Sequence, residues 1–429
     1  MKQRIMMLLL FFPRVLWSQY AATLEAEIAV DRNQNGQKFE VLFEPEWRTS
    51  LTDNTEMTFL GQIRLDAIGD LGPNASKPAN YDGVNGPMVH SNHAAMTIRE
   101  WYIDTQVADS FWRVGKQQVV WGQADGVRVL DVINPQSYRE AFLDDFEDAR
   151  IPLWMINMEL AVGENGNLQG LWIPDLSYNE QAARSSPFAI TSPSLVRSSS
   201  FGNQVYTKPK NNIQDSDYGI RYSTFIDGWD LTANYFYHYH DNPTPYRQFE
   251  NEKLTFSNRH NRNHLVGGTA SKAFGSFTLR TEVGLNSDTF HLKRLDESDR
   301  GDSSGVHRSS EIATLVGIDW QGFENTMVSM QWYRSTILDD APQLYRPKTN
   351  TLFSLLYRRS LQNEVWELEA LGLHSKSTND GSVQLKVSYV LNSNLNVWLG
   401  ADLFYGQRVG LFGQFREANR VTVGFKWGI

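Results

Sequence analysis

At 429 residues the chain has length enough for two or three soluble domains, yet it carries no cysteine, a formal charge of −9 and 41% apolar residues. The missing cysteines exclude disulfides, thiolate metal sites, cysteine nucleophiles and a lipoprotein anchor. No basic tract is present to neutralise phosphates, which argues against a nucleic-acid partner.

The N-terminus reads as a secretory leader over residues 1–22. Lys2 and Arg4 precede the apolar run Ile5–Phe12; Pro13 and Arg14 interrupt it, and cleavage is expected near Ser18 or Ala22. That run is far shorter than the roughly 20 residues of a membrane-spanning helix. From residue 23 to 429 the chain reads as one unit built of alternating strands.

In chain order, a piece over Leu24–Val30 alternates first. Phe39, Val41, Phe43 and Trp47 then interleave with Glu40, Glu44, Glu46 and Arg48. Trp101, Ile103 and Val107 follow against Glu100, Asp104 and Gln106, and Tyr235, Tyr237 and Tyr239 against His238 and His240. The last strand sets Val421, Val423, Phe425 and Trp427 against Thr422, Gly424 and Lys426. Short turns near Asp53, Asp109, Asn165, Gly228, Gly275, Gly322, Asn363 and Asn394 take strict turns with longer connections over 71–94, 122–151, 179–215, 243–261, 292–308, 340–348, 378–381 and 408–419.

Short turns at one rim and long loops at the other describe a transmembrane up-and-down antiparallel β-barrel, all-β, of about 18 strands (16–18). In such a barrel the apolar set faces lipid and the polar set faces the lumen. The 13 Trp, 17 Tyr and 23 Phe suit girdles at the membrane interfaces. A soluble sandwich is the rival, since periodicity alone does not say which face is wet. The expected location is the outer membrane of a Gram-negative cell, among lipid and lipopolysaccharide, reached through the barrel assembly machinery.

The most distinctive segment runs from Gly115 to Arg150. It starts as a strand, turns at Gly122 and Gly126, and then shows helical spacing in Tyr138, Phe142 and Phe146, with Asn134 as N-cap and Pro135 as first helical residue. The expectation is a short helical loop folded into or across the pore mouth, narrowing it. Candidate constriction residues are Glu100, Asp104, Arg113, Gln117, Trp121, Arg128, Asp131 and Arg139. The phase of 110–121 is ambiguous, because Lys116 and Gln118 alternate with Arg113 and Gln117.

This segment resembles a family of Gram-negative outer-membrane proteins defined by a domain of unknown function. The matching residues are Gly115, Lys116, Gln117, Val119, Val120, Trp121, Gly122, Ala124, Asp125, Gly126, Arg128, Leu130, Asp131, Asn134, Pro135, Arg139 and Glu140. The resemblance implies an outer-membrane barrel that works alongside an RND-type exporter and a periplasmic carrier, moving lipid-like compounds. It assigns no catalytic residue. The chain ends on Ile429 rather than an aromatic residue, so recognition by the assembly machinery leans on Phe425 and Trp427.

Lumen charges of both signs, such as Glu40, Glu282 and Glu369 against Arg64, Arg280 and Lys386, read first as balanced rows on neighbouring strands, and only second as a selectivity filter. His238 and His240 share a face but lack a third ligand, so they read as solvated lumen histidines rather than a metal site. His264, His291 and Ser287 fall into no triad spacing, and Arg197–Ser200 lacks the frame of a nucleophile elbow. No catalytic residue, metal or cofactor is assigned. The expected role is passage of a small or lipid-like solute across the outer membrane; the alternative is a surface-exposed binding or adhesion barrel with a plugged lumen.

Overall fold

The computed structural model describes residues 17–71, 79–124, 126–183, 185–192, 204–250, 253–294, 304–340 and 343–429. Among them, eighteen long strands form one sheet closed on itself. They are β1 (Trp17–Asp31), β2 (Gly36–Thr52), β3 (Thr55–Asp66), β4 (Ala94–Val107), β5 (Ser110–Gln117), β6 (Leu153–Val162), β7 (Gly166–Ile173), β8 (Asp217–Ile226) and β9 (Trp229–Tyr239). The second half comprises β10 (Arg262–Phe274), β11 (Phe277–Leu292), β12 (Val306–Trp320), β13 (Thr326–Ile337), β14 (Thr349–Leu361), β15 (Trp366–Ser375), β16 (Asp380–Asn392), β17 (Leu395–Tyr405) and β18 (Arg420–Gly428). Every strand pairs antiparallel with its sequence neighbours, and β1 closes on β18 from Thr23↔Gly428 to Asp31↔Arg420. The fold is the expected barrel with the expected strand number, and the first strand begins earlier than the alternating piece at Leu24. The earlier residues, up to Ala22, pair with β2 alone in the strand ladder.

Side-chain exposure decides which face is which. On β2, Phe39 is 46% exposed whereas Glu40 is 6%. Leu399 and Val423, paired across β17 and β18, both face outward. Apolar outside and polar inside is the arrangement of a barrel in lipid, and it is the reverse of a soluble sandwich. The polar inner face is interrupted by two apolar groups: Leu171, Ile173, Phe236, Leu265 and Leu315, and Leu352, Leu373 and Phe404, are buried inside the lumen. They have a partner there, the long connection between β5 and β6.

That connection, 118–152, enters the barrel, but not as the expected helix. The helix α1 covers only Phe146–Ala149. The residues before it form bends, a two-residue strand and turns rather than a helix, because long-range partners hold the groups a helix needs. The Asn134 side chain accepts from the Val119 amide (2.8 Å) and donates to the Ile151 carbonyl (3.0 Å). The Pro135 carbonyl accepts from the Ile151 amide, and the Gln136 amide donates to Asn179 Oδ1 (2.7 Å). Ser137–Tyr138 pair as a short parallel strand with Glu180–Gln181. The ambiguous phase of β5 is also settled: Arg113 pairs with lumenal Asp104, while Lys116 lies across from the outward Trp101. Of the residues singled out from sequence, those in 1–16, Asp125 and Arg197–Ser200 lie outside the described residues.

Candidate functional site

The inward segment is held at opposite walls of the barrel by two different kinds of contact. On one side it completes an apolar core. Val119, Trp121, Val129, Leu130 and Ile133 pack on Leu171, Ile173, Phe236, Leu265 and Leu315. Trp121 is fully buried, meets Phe236 edge-on at 5.9 Å and donates from Nε1 to Gln169 Oε1 (2.7 Å). Leu130 lies on a bare patch where Gly267 and Gly284 pair across β10 and β11. Beside it, Glu282 accepts from the backbone amides of Gln123 and Leu130, so a wall carboxylate satisfies loop donors that would otherwise be stranded.

On the far side the contacts are ionic. Arg139 makes a forked pair with Glu40 of β2 (2.5 and 3.2 Å). Glu140, fully buried, takes Lys38 of β2 at 2.7 Å, Arg420 of β18 at 2.6 Å and Arg139 at 3.1 Å. The network extends through Lys38–Glu27 (3.0 Å) and Arg420–Asp402 (2.7 Å). Burial opposes ionisation of Glu140, but Lys38, Arg420 and Arg139 outweigh it and hold its carboxyl well below the ordinary range. At Asp144 the pull of Arg139, Lys38 and Arg64 is outweighed. Enclosure, with the Glu140 carboxylate adding to it, pushes Asp144 up to about 6. Two further ties complete the anchorage: Asp131–Arg150 at 2.8 Å, and Arg99 of β4 donating to the Glu147 and Asp148 carbonyls (2.6 and 3.2 Å).

Between the segment and the loop-side half of the wall lies a cavity of about 690 Å³. One side is aromatic and aliphatic: Phe142 meets Phe412 edge-on at 4.8 Å, backed by Phe188, Phe415, Leu352 and Leu373. Phe188 comes from the 174–216 connection, so that loop also reaches inward. The other side is polar, with His238, His240, Asn242, Asn286 and Thr289.

The structure separates the residues expected at a constriction. Arg128, Asp131 and Arg139 lie on the inward segment, and Arg128 and Asp131 line the cavity. Trp121 and Gln117 are anchors; the Gln117 amide group donates to the Met155 carbonyl and is closed off from the lumen. Asp104 and Arg113 form a forked pair (2.7 and 2.8 Å) near the short turn at Asp109, at the opposite rim from the segment's ionic anchors on β2 and β18. Glu100 lies on β4 between these two places, half-buried. Sequence reading missed Lys38 and Arg420 altogether. The available signal was two cations at the loop ends of β2 and β18, positions that meet only once the barrel has closed.

Elsewhere in the lumen several charges are paired across neighbouring strands, as in Arg280–Asp319 (2.7 Å) and Arg358–Glu369 (2.7 Å). His238 and His240 face one side with ring centroids 5.7 Å apart; His238 Nδ1 donates to the Tyr239 carbonyl and His240 Nε2 to the Asp288 carbonyl. Ser287 donates to Asp288, and His264 meets Tyr235 on the outer face, so these residues form no triad with each other.

In fold the chain is similar to OccAB2 of Acinetobacter baumannii, with 10% identity, 98% of this chain and 99% of that one covered, and a TM-score of 0.56. It is also similar to Pseudomonas aeruginosa OpdK with vanillate (10% identity, 96% and 98% covered, TM-score 0.55). A third likeness is to Pseudomonas aeruginosa OccK2 (OpdF) in complex with glucuronate (10% identity, 96% and 97% covered, TM-score 0.54). No curated protein is significantly similar in sequence. A family profile matches residues 72–338, which contain the whole inward segment, and the chain therefore belongs to the family described as protein of unknown function, DUF1302.

Proposed function

We propose that this protein is a channel of the Gram-negative outer membrane that passes a small or lipid-like solute through its barrel. The observation that carries this reading is the inward segment: it is fixed at both walls, yet leaves an open cavity of about 690 Å³ beside it. A barrel whose only task was to display surface loops has no need of such a chamber in its interior. Vanillate in OpdK and glucuronate in OccK2 are small solutes held by barrels of the same fold. As the outer-membrane partner of an RND-type exporter, served by a periplasmic carrier, the channel would move its solute outward. Retrieval of exporter components by crosslinking in intact cells tests that partnership, and their absence sinks it.

Planar-bilayer recording tests the channel itself. Wild-type protein is expected to give discrete ion currents, and Glu140→Ala, which frees the charged end of the segment, larger and noisier ones. A protein electrically silent before and after that change is a plugged barrel, and the surface-binding alternative then stands.

A further inference from the structure

The charged groups around the cavity are not all held in ion pairs. Arg346 is matched by Glu311 (2.9 Å), and Asp131 by Arg150 (2.8 Å). Enclosure pushes the Asp241 carboxyl above its ordinary range, with Asp217 adding to the effect and the Arg128 charge opposing it. Arg128 remains. Its guanidinium donates to the Tyr138 hydroxyl (2.8 Å) and lies 5.8 Å from the Tyr138 ring and 5.5 Å from that of Phe146. Among the described residues no carboxylate lies within ion-pair distance of it, and Asp241 acts on it only from farther off. An arginine held by aromatic rings in a partly dry chamber keeps donors free for a planar anion, which it can bind in a forked manner. The wall of Phe142, Phe412, Phe415 and Leu352 gives nothing to a polar solute but receives an apolar body.

We infer that the cavity binds an amphipathic monocarboxylate, its carboxylate on Arg128 and its aromatic or medium-chain aliphatic body against the Phe142–Phe412 wall. The chamber falls within the volume range of sites that enclose ligands of drug-like size, roughly 300–1,000 Å³. This inference deepens the channel reading by naming a solute class; it rests on that reading for passage and not for binding.

The test is isothermal titration of the full barrel in lipid nanodiscs with 4-phenylbutyrate, and with 4-phenylbutanol, 4-phenylbutylamine and butyrate as comparisons. Saturable binding of phenylbutyrate is expected, at least tenfold tighter than that of the alcohol or of butyrate, and none of the amine. Arg128→Gln should bring the acid down to the level of the alcohol while leaving the alcohol unchanged. Leu411→Asn, on the apolar wall, should weaken acid and alcohol together. Heat-modifiable mobility on unboiled gels verifies that each variant is folded. Binding of the amine as tight as that of the acid overturns the inference, as does unchanged affinity in Arg128→Gln, or heat no greater than that of empty nanodiscs. Because the readout is independent of current, a silent barrel that binds phenylbutyrate removes the channel reading alone. A conducting barrel that binds nothing removes this inference alone.

Discussion

Glu140 and Asp144, four residues apart, are set in opposite electrostatic states by what surrounds them. Glu140 is enclosed by three cations, so replacing it leaves three positive charges facing one another in a buried site. Glu140→Gln is expected to weaken seating of the segment by about 3–5 kcal/mol, the cost of breaking rather than forming a buried ion pair. Faster cleavage by chymotrypsin after Phe142 and Phe146 in the folded barrel checks this. Asp144 behaves in the reverse way. Its carboxyl in the folded state, about 6, lies above the ordinary 3.8, so the folded state holds the extra proton. Its ionised form therefore opposes seating above pH 6, and this opposition fades as the pH falls from 6 towards 4. Asp144→Asn should stabilise the segment by about 1 kcal/mol at pH 7.5 and by nearly nothing at pH 4. Hydrogen exchange of the Ala141 and Leu143 amides, compared with wild type at each pH, measures the difference; equal protection at both pH values refutes it.

At the scale of elements, the inward segment shows tertiary contacts overriding local pattern. Tyr138, Phe142 and Phe146 have helical spacing, yet Phe142 turns to the aromatic wall while Tyr138 and Phe146 flank Arg128. Asn134 has the chemistry of an N-cap, but it ties the two stems of the segment together. The fit on the other side depends on absent side chains. A Cβ at Gly267 would lie 2.5 Å from Leu130 Cδ2 and 2.4 Å from the Val283 carbonyl oxygen, the latter being backbone that cannot swing aside. Gly267→Val is therefore expected to unseat Leu130 at a cost of about 1–3 kcal/mol while the barrel still closes. Loss of amide protection over 127–133, with heat-modifiable mobility retained, is the expected result.

At the scale of the whole molecule, the outward apolar face and the closing β1–β18 pairing define a barrel with no free edge. Leu399, midway along β17 beside Val423 and Val387, belongs to the lipid-facing set. Leu399→Arg should cost about 2–4 kcal/mol, the depth-dependent penalty of a cation at the bilayer midplane. Urea titration in lipid vesicles measures it, and an unchanged midpoint would mean that this face does not meet lipid. The strand number, the turn rim and the loop rim were legible in the sequence; which face is wet, and the phase of 110–121, were decided by the structure. Strand alternation is a local property with period two, and connection length is read directly from the chain. That 122–151 folds towards the pore was legible from its length; the expected helix was not what formed, and its depth in the lumen was decided by tertiary contacts. What only the tertiary structure decided was where that segment is pinned. Lys38, Glu140 and Arg420 are far apart in sequence and become neighbours only through barrel closure. Asp104 and Arg113, near the segment in sequence, end at the rim away from that ionic clamp because β4 and β5 lead down to the short turn. Pairing charges across a closed lumen requires its circumference and its register, and no local pattern encodes either.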